Sequence, residues 1–234
     1  MKFCGKEACR IYGRIREVMG YQLVIFDLDG TLLDTLEDLA DSVNYALSAY
    51  NFPERTIEEV RHFVGNGIRL LIERSVPQGT PKEKTDKVYA EFMEHYTANC
   101  ANKTKPYDGI LGLLYSLRKA GIKMAVVSNK ADAAVKELCE KYFAGLLDEA
   151  VGERMGIRRK PAPDSVKEVL KKLGVEEAQA VYIGDSDVDV ETAENAGLAE
   201  IAVTWGFRDE DFLLQSGAKV LVSTPKEIEE IVMA

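Results

Sequence analysis

The sequence predicts an α/β protein: a parallel sheet covered by helices on both faces, with a helical domain inserted near its start. From Tyr107 onward, apolar runs of strand length alternate with segments of helical periodicity, a pattern that implies right-handed crossovers and a parallel sheet. Between residues 36 and 100 no strand-like run occurs. The third observation is chemical. Leu23–Phe26 meets Asp27, Met124–Val127 meets Ser128, and Ala180–Ile183 meets Gly184-Asp185. Ligands of an open parallel sheet sit beyond the carboxyl ends of its strands, where polar residues from distant strands converge. The pattern is that of an enzyme.

Taken in order, residues 1–18 carry Lys2, Lys6, Arg10, Arg14 and Arg16 without a continuous apolar core, so no signal peptide is expected. Two readings of this N-terminal extension stay open: a dispensable leader ahead of a natural start at Met19, or a short basic surface helix. Leu23–Phe26 is the first strand. Leu36–Tyr50, Thr56–Val64, Asn66–Val76 and Lys82–Cys100 then repeat apolar residues at spacings of three and four, punctuated by Pro53, Gly65, Pro77 and Pro81, and are expected as helices. Tyr89, Phe92 and Tyr96 fall on one helical face and read as core. The alternating part follows: helix Asp108–Ala120, strand Ile122–Ser128, helix Asp132–Phe143, strand Leu147–Val151, helix Pro163–Leu173, strand Ala180–Gly184 and helix Asp187–Ala196. Strands Ile201–Thr204 and Val220–Val222 and a helix from Pro225 complete it. The expected division is a core of residues 19–34 and 106–234 and a cap of residues 35–105.

At 234 residues, with 46% hydrophobic and 29% charged residues, the composition is that of a soluble globular chain, and no apolar stretch reaches bilayer-spanning length. The formal charge of −9 argues against a general nucleic-acid binder. It also disfavours anionic substrates at long range unless a cation and local Lys or Arg reverse the field, which points to a divalent metal. Cys4, Cys9, Cys100 and Cys139 show no CxxC spacing, and with only His62 and His95 beside them no zinc site is expected. Free thiols of this kind fit a reducing cytoplasm.

Asp27 and Asp29 are two apart, so on extended chain both carboxylates face the same side. Gly30 then permits a tight departure of the backbone. Asp185 is the expected direct ligand of Mg²⁺, which prefers a few hard oxygen donors completed by water and phosphate. Asp187 reads as a helix-terminus residue, and Asp189 as a group supporting the site from behind. Ser128-Asn129, just before a helix, forms a ready anion site. Lys160 is presented from the stiffened turn Lys-Pro-Ala-Pro, whereas Arg158 and Arg159 read as surface charge.

Together, Asp27-Leu28-Asp29-Gly30-Thr31, Ser128 after its apolar run, Lys160 in Lys-Pro-Ala-Pro-Asp, and Gly184-Asp185 with Asp189 resemble the four motifs of the haloacid dehalogenase superfamily, in order, over everything from Tyr21 onward. The resemblance implies a Rossmann-like core with an α-helical cap. It makes Asp27 the nucleophile that takes a phosphoryl group and Asp29 the general acid and base. Mg²⁺ would be held by Asp27, the Asp29 carbonyl and Asp185, with phosphate oxygens on Ser128, Asn129 and Lys160. The founding dehalogenases lack an aspartate at the Asp29 position, so the chain is closer to the phosphotransferases. Phe63-Val64-Gly65-Asn66-Gly67-Ile68 is similar to the Val-Gly-x-Gly cap loop of phosphoglycolate phosphatases, and Trp205-Gly206 fits the same branch. Gly65, Asn66 and Arg69 are therefore the expected specificity residues, Arg69 reading a carboxylate, while Arg74 and Lys82 are expected to be solvated. The rivals are a pyrophosphatase or other small-phosphate hydrolase, a sugar-phosphate mutase, and a silent binding protein. The expected partner is a small phosphorylated metabolite, and oligomeric state is not legible.

Overall fold

The computed structural model describes residues 2–3 and 20–234. The two readings of residues 1–18 thus lie outside the described residues, save for the backbone of Lys2–Phe3. Two compact units divide the chain, residues 33–105 forming one and residues up to 32 together with 106–234 the other.

In the larger unit the strands are β1 (Lys2–Phe3) and β2 (Leu23–Phe26), followed, beyond the short pair β3 (Leu33–Asp34) and β4 (Lys105–Pro106), by β5 (Lys123–Ala131), β6 (Glu149–Glu153), β7 (Ala180–Gly184), β8 (Ala199–Val203) and β9 (Val220–Val222). The sheet order is β1-β9-β8-β7-β2-β5-β6. All neighbours are parallel except β1, which lies antiparallel on β9. β2 is central and wholly buried, which is why its apolar run is unbroken rather than alternating. β2 and β7 pair Phe26 with Ile183, so Asp27 and the Gly184-Asp185 turn emerge side by side at the carboxyl ends of these strands.

The helices of the smaller unit come first along the chain: α1 (Leu36–Ala49), α2 (Ile57–Phe63), α3 (Ile68–Ser75) and α4 (Lys82–Asn99). Those of the larger unit are α5 (Ile110–Lys119), α6 (Asp132–Phe143), α7 (Asp164–Leu173), α8 (Asp187–Ala196), α9 (Glu210–Gln215) and α10 (Pro225–Val232). α8 starts with a reciprocal cap between Ser186 and Asp189, and α10 with one between Thr224 and Glu227 behind Pro225, each satisfying amides that the first turn leaves open.

In the smaller unit Leu39, Val43 and Leu47 of α1 and Val88 and Phe92 of α4 are buried, with Phe92 stacked on Tyr96 at 5.1 Å. Tyr89 departs from the expected core role: it is only half-buried and lies under the Arg69 guanidinium, 5.4 Å from it. The buried Asp38 carboxylate accepts from the amides of Lys103 and Thr104 and from the Thr104 hydroxyl, fastening the two ends of this helical segment to each other.

Three elements differ from expectation. β5 runs three residues past Ser128, and its register with β6 shifts between Val127 and Ala131. α9 was not foreseen, because six residues with Leu213 as their buried member are too short to display a period. The β3–β4 ribbon has two residues per strand and is equally invisible to pattern.

Candidate active site

β2 delivers Asp27, whose amide donates to Ile183 O at 2.8 Å. Its carboxylate is buried, with Lys160 Nζ 2.8 Å from Oδ1. Asp27 Oδ1 is buried, and its close contact is this ion pair. Lys160 itself is anchored from below. Its Nζ donates to Asp189 Oδ1 at 2.7 Å and to the Tyr182 hydroxyl at 3.0 Å, and that hydroxyl is directed to Val127 O at 3.1 Å. Asp189 Oδ2 accepts from the Ser186 amide at 3.1 Å and hydroxyl at 2.6 Å. Asp189 therefore caps α8 and holds the lysine at once, with both oxygens committed.

Asp185 is pinned by the Thr31 hydroxyl at 3.3 Å and the Phe207 amide at 2.7 Å. Backbone approaches make room for it. A Cβ added at Gly30, where φ is +88°, would overlap the Asp185 carboxylate, and one at Gly206 would overlap both Asp185 and Gly30 O. Trp205 donates from Nε1 to Thr31 O at 3.1 Å, tying the β8 loop to the turn after β2. Asp187 faces Arg208, 3.5 Å away, as a helix-terminus charge.

At the end of β5, Ser128 and Asn129 are buried. Asn129 donates from its side-chain Nδ2 to Lys160 O at 3.1 Å, linking the β5 end to the lysine turn. Lys130, which the sequence reading passed over, is also buried and reaches Asp29 Oδ1 at 3.1 Å. Ser128 and Lys130 are two apart on extended chain, the spacing that identified Asp27 and Asp29; ending the strand at Ser128 concealed it. Thr31 stood in the first motif without a role, and Tyr182 and the Phe207 amide were missed, since each touches the site through tertiary contacts that no local pattern reports.

The electrostatics are those of an acidic, desolvated cluster. Burial pushes Asp27 up to about 7, with Lys160 opposing the shift and Asp189 and Asp29 adding to it. Burial, then Asp189 and Asp27, holds the Asp185 carboxyl well above its ordinary range. Lys160 is held well above the usual lysine value, because Asp189 and Asp27 outweigh the burial that acts the other way. Asp27, Asp185 and Asp189 each offer a carboxylate oxygen, all within 4.8 Å of one another. Asp189 already serves Lys160 and Ser186, so Asp27 and Asp185 are the hard oxygen donors here that fit a small divalent cation.

The expected specificity residues lie in the smaller unit. Positive φ falls on Gly65 and Gly67, as a tight turn requires. Arg74 is not simply solvated as expected: it donates to Phe63 O at 2.8 Å and to Asn66 Oδ1 at 2.9 Å, bracing the loop. Arg69 pairs with Glu73 at 2.8 Å and with Asp86, and Lys82 shares Asp86 at 2.8 Å. The Arg69 charge is thus met by two carboxylates of its own unit.

An aspartate pair at the end of a central parallel strand, faced by a lysine from the turn before α7 and a carboxylate from the neighbouring strand end, defines a hydrolase of the phosphate-handling α/β class. The family model described as haloacid dehalogenase-like hydrolase matches residues 24–203. The chain belongs to that family. It is 34% identical over 199 residues to a phosphoglycolate phosphatase of Mesorhizobium japonicum, covering 82% of this chain and 86% of that one. To an N-acetylmuramic acid 6-phosphate phosphatase of Pseudomonas aeruginosa it is 30% identical over 215 residues, covering 91% and 95%. A Lactobacillus delbrueckii structure described as a phosphoglycolate phosphatase superposes with a TM-score of 0.88 at 40% identity, covering 92% of this chain and 99% of that one. No helix among the described residues is long and apolar enough to cross a membrane.

Proposed function

We propose that the protein hydrolyses a small phosphomonoester through an aspartyl-phosphate on Asp27, with Mg²⁺ as cofactor and phosphoglycolate as the preferred substrate. The observation that carries this reading is Asp27 Oδ1, a buried carboxylate oxygen in close contact with Lys160 and within reach of Asp185. A carboxylate desolvated in this way is costly unless it serves chemistry.

A carboxylate needs no base to become a nucleophile; what it must overcome is repulsion from a phosphate dianion. Asp27, Asp185 and the Asp29 carbonyl are the groups assigned to Mg²⁺, which when bound supplies the charge neutralisation for that approach. Lys160 balances one unit of the Asp27–Asp189 charge and, with Ser128 and Asn129, is assigned to the phosphate oxygens. In the first step Asp27 forms its bond to phosphorus, the ester bond breaks, and Asp29 protonates the departing oxygen. In the second, water attacks phosphorus, Asp29 takes its proton, and the Asp27–phosphorus bond breaks. Asp189, with both oxygens already engaged, orients Lys160 and is not assigned to the metal.

The names of the relatives support the substrate class. Phosphoglycolate and N-acetylmuramic acid 6-phosphate are both phosphate monoesters of an alcohol that also carries a free carboxylate, and the second is the alternative reading, favoured by the longer coverage of that relative. The leaving group is assigned to the Gly65–Arg69 loop, where Arg69 would exchange Glu73 or Asp86 for a substrate carboxylate. Small phosphorylated metabolites as partners and a cytoplasmic location belong to the same proposal. A panel of phosphate esters assayed with Mg²⁺ and with chelator tests it. Chelator-sensitive turnover led by phosphoglycolate is the expected result; preference for a pyrophosphate or a neutral sugar phosphate would remove the substrate, and no turnover of any ester would remove the activity.

A further inference from the structure

Among the described residues the larger unit contains two buried lysines, and the mechanism above uses one. Lys160 serves Asp27 and Asp189. Lys130, on the other side of the aspartate pair, ends 3.1 Å from Asp29 Oδ1 with its side chain 3% exposed. We propose that Lys130 is the positioning residue of Asp29: its ammonium holds that carboxylate at the angle from which it serves the leaving oxygen and, later, the attacking water. The proposal rests on the phosphotransfer reading above and adds a residue to it.

Three features of the backbone bring Lys130 there. β5 continues past Ser128 with a register shift against β6 between Val127 and Ala131, and a bulge of this kind re-aims the side chain it carries. The Lys130 amide donates to Ser128 Oγ at 3.3 Å, tying the lysine to the residue assigned to phosphate. On the β6 side, a Cβ at Gly152 would overlap Lys130 O and Asp132, while the Gly152 amide donates to Asp132 Oδ1 at 2.9 Å. Glycine therefore lets β6 close against the bulge and fix the backbone from which Lys130 extends. A buried ammonium is retained at a cost in desolvation unless a charge meets it, and Asp29 is the carboxylate it meets. Asp29 is at the same time the less buried of the two motif aspartates, half-buried where Asp27 is buried, and so has fewer neighbours to fix its rotamer. A group that must reach two different oxygens in successive steps gains from a fixed origin.

The consequence is selective. With p-nitrophenyl phosphate the departing phenolate is stable without a proton, so formation of the aspartyl-phosphate tolerates a misplaced Asp29, whereas attack by water on that intermediate does not. Lys130→Met in the full chain with Mg²⁺ should keep the initial burst of p-nitrophenolate within about threefold while the steady-state rate falls about 10- to 100-fold, part of what general acid–base catalysis supplies, with KM falling alongside kcat because the second step becomes limiting. Lys130→Arg, which keeps the charge, should recover most of the loss. Adding Lys130→Met to Asp29→Asn should cost little more than Asp29→Asn alone, because residues acting through one another are not additive. Equal loss of burst and steady state, a raised KM with kcat intact, or full additivity with Asp29→Asn would each overturn the proposal. If Lys130→Met fails to melt cooperatively, Lys130→Gln decides: a preserved burst with a slowed second step supports the proposal, and wild-type kinetics sinks it. Absence of Mg²⁺-dependent turnover in the parent protein would instead remove the phosphotransfer reading itself.

Discussion

At the scale of single residues, Asp27 and Lys160 form an unequal pair. Asp27 carries charge into a place that resists it, since burial lifts its pKa to about 7. Asp27→Asn should abolish turnover, by about a thousandfold or more as expected for loss of a covalent nucleophile, and yet raise the melting temperature of the metal-free protein at pH 8. Activity assay and thermal melting check the two halves; retained activity would refute the assignment of the nucleophile. Lys160→Met does the opposite, because it leaves Asp27 and Asp189 as buried charges with no cation between them. Removing one partner of a buried ion pair costs about 3–5 kcal/mol, so denaturant unfolding should show a large loss of stability along with the loss of activity. A variant as stable as the parent would show that the Asp189 network tolerates neutralisation.

Among elements, the strand ends matter more than the helices they feed. Gly184 closes β7, and a Cβ there would overlap the Asp189 carboxylate, which caps α8 and holds Lys160. Gly184→Ala should therefore destabilise by about 1–3 kcal/mol, the usual cost of overpacking, and lower kcat by displacing Lys160. Thr224→Ala removes a cap of similar form from α10, none of whose residues is assigned to the site. It should cost about 1 kcal/mol and leave kcat unchanged. Denaturant midpoints compared with kcat separate the two, and an unaltered kcat in Gly184→Ala would break the proposed link from strand end to lysine.

For the whole molecule, the acidic cluster sets how stability depends on pH. The folded-state pKa of Asp27 is about 7 against 3.8 for the free group, and Asp185 is shifted in the same direction. Between those values the folded protein keeps a proton that the unfolded chain has released, so stability falls as pH rises through this window; the share of Asp27 is complete by about 7, while Glu200, which burial raises to about 8, extends the fall. Thermal melts with chelator should therefore decline from pH 5 to pH 7.5, with a shallower slope in Asp27→Asn. Added Mg²⁺ should raise the melting temperature more at pH 8 than at pH 5, because ligands stabilise the state that binds them and the deprotonated cluster is that state. A metal-free protein that gains stability across the same interval would contradict the shift assigned to Asp27.

How far the sequence could be read follows from the range of the interactions involved. Asp27, Asp29, Ser128, Lys160 and Asp185 were legible because each stands where a long apolar run or a proline-stiffened turn breaks off, and a broken run is a local signal. The α/β class was legible for the same reason, since continuous apolar strands mean burial on both faces. The roles of Lys130, Tyr182, Thr31 and the Phe207 amide were not, because their meaning lies in partners that only folding brings near: Lys130 needs the β5 bulge, Tyr182 the turn bearing Lys160, and Thr31 an aspartate 154 residues away. Arg69 shows the converse. Its sequence context marks a cation beside a glycine loop, and folding alone supplies Glu73, Asp86 and Tyr89 around it. Apolar periodicity is written along the chain, whereas the neighbours of a charge are assigned by chain crossings that no short window contains.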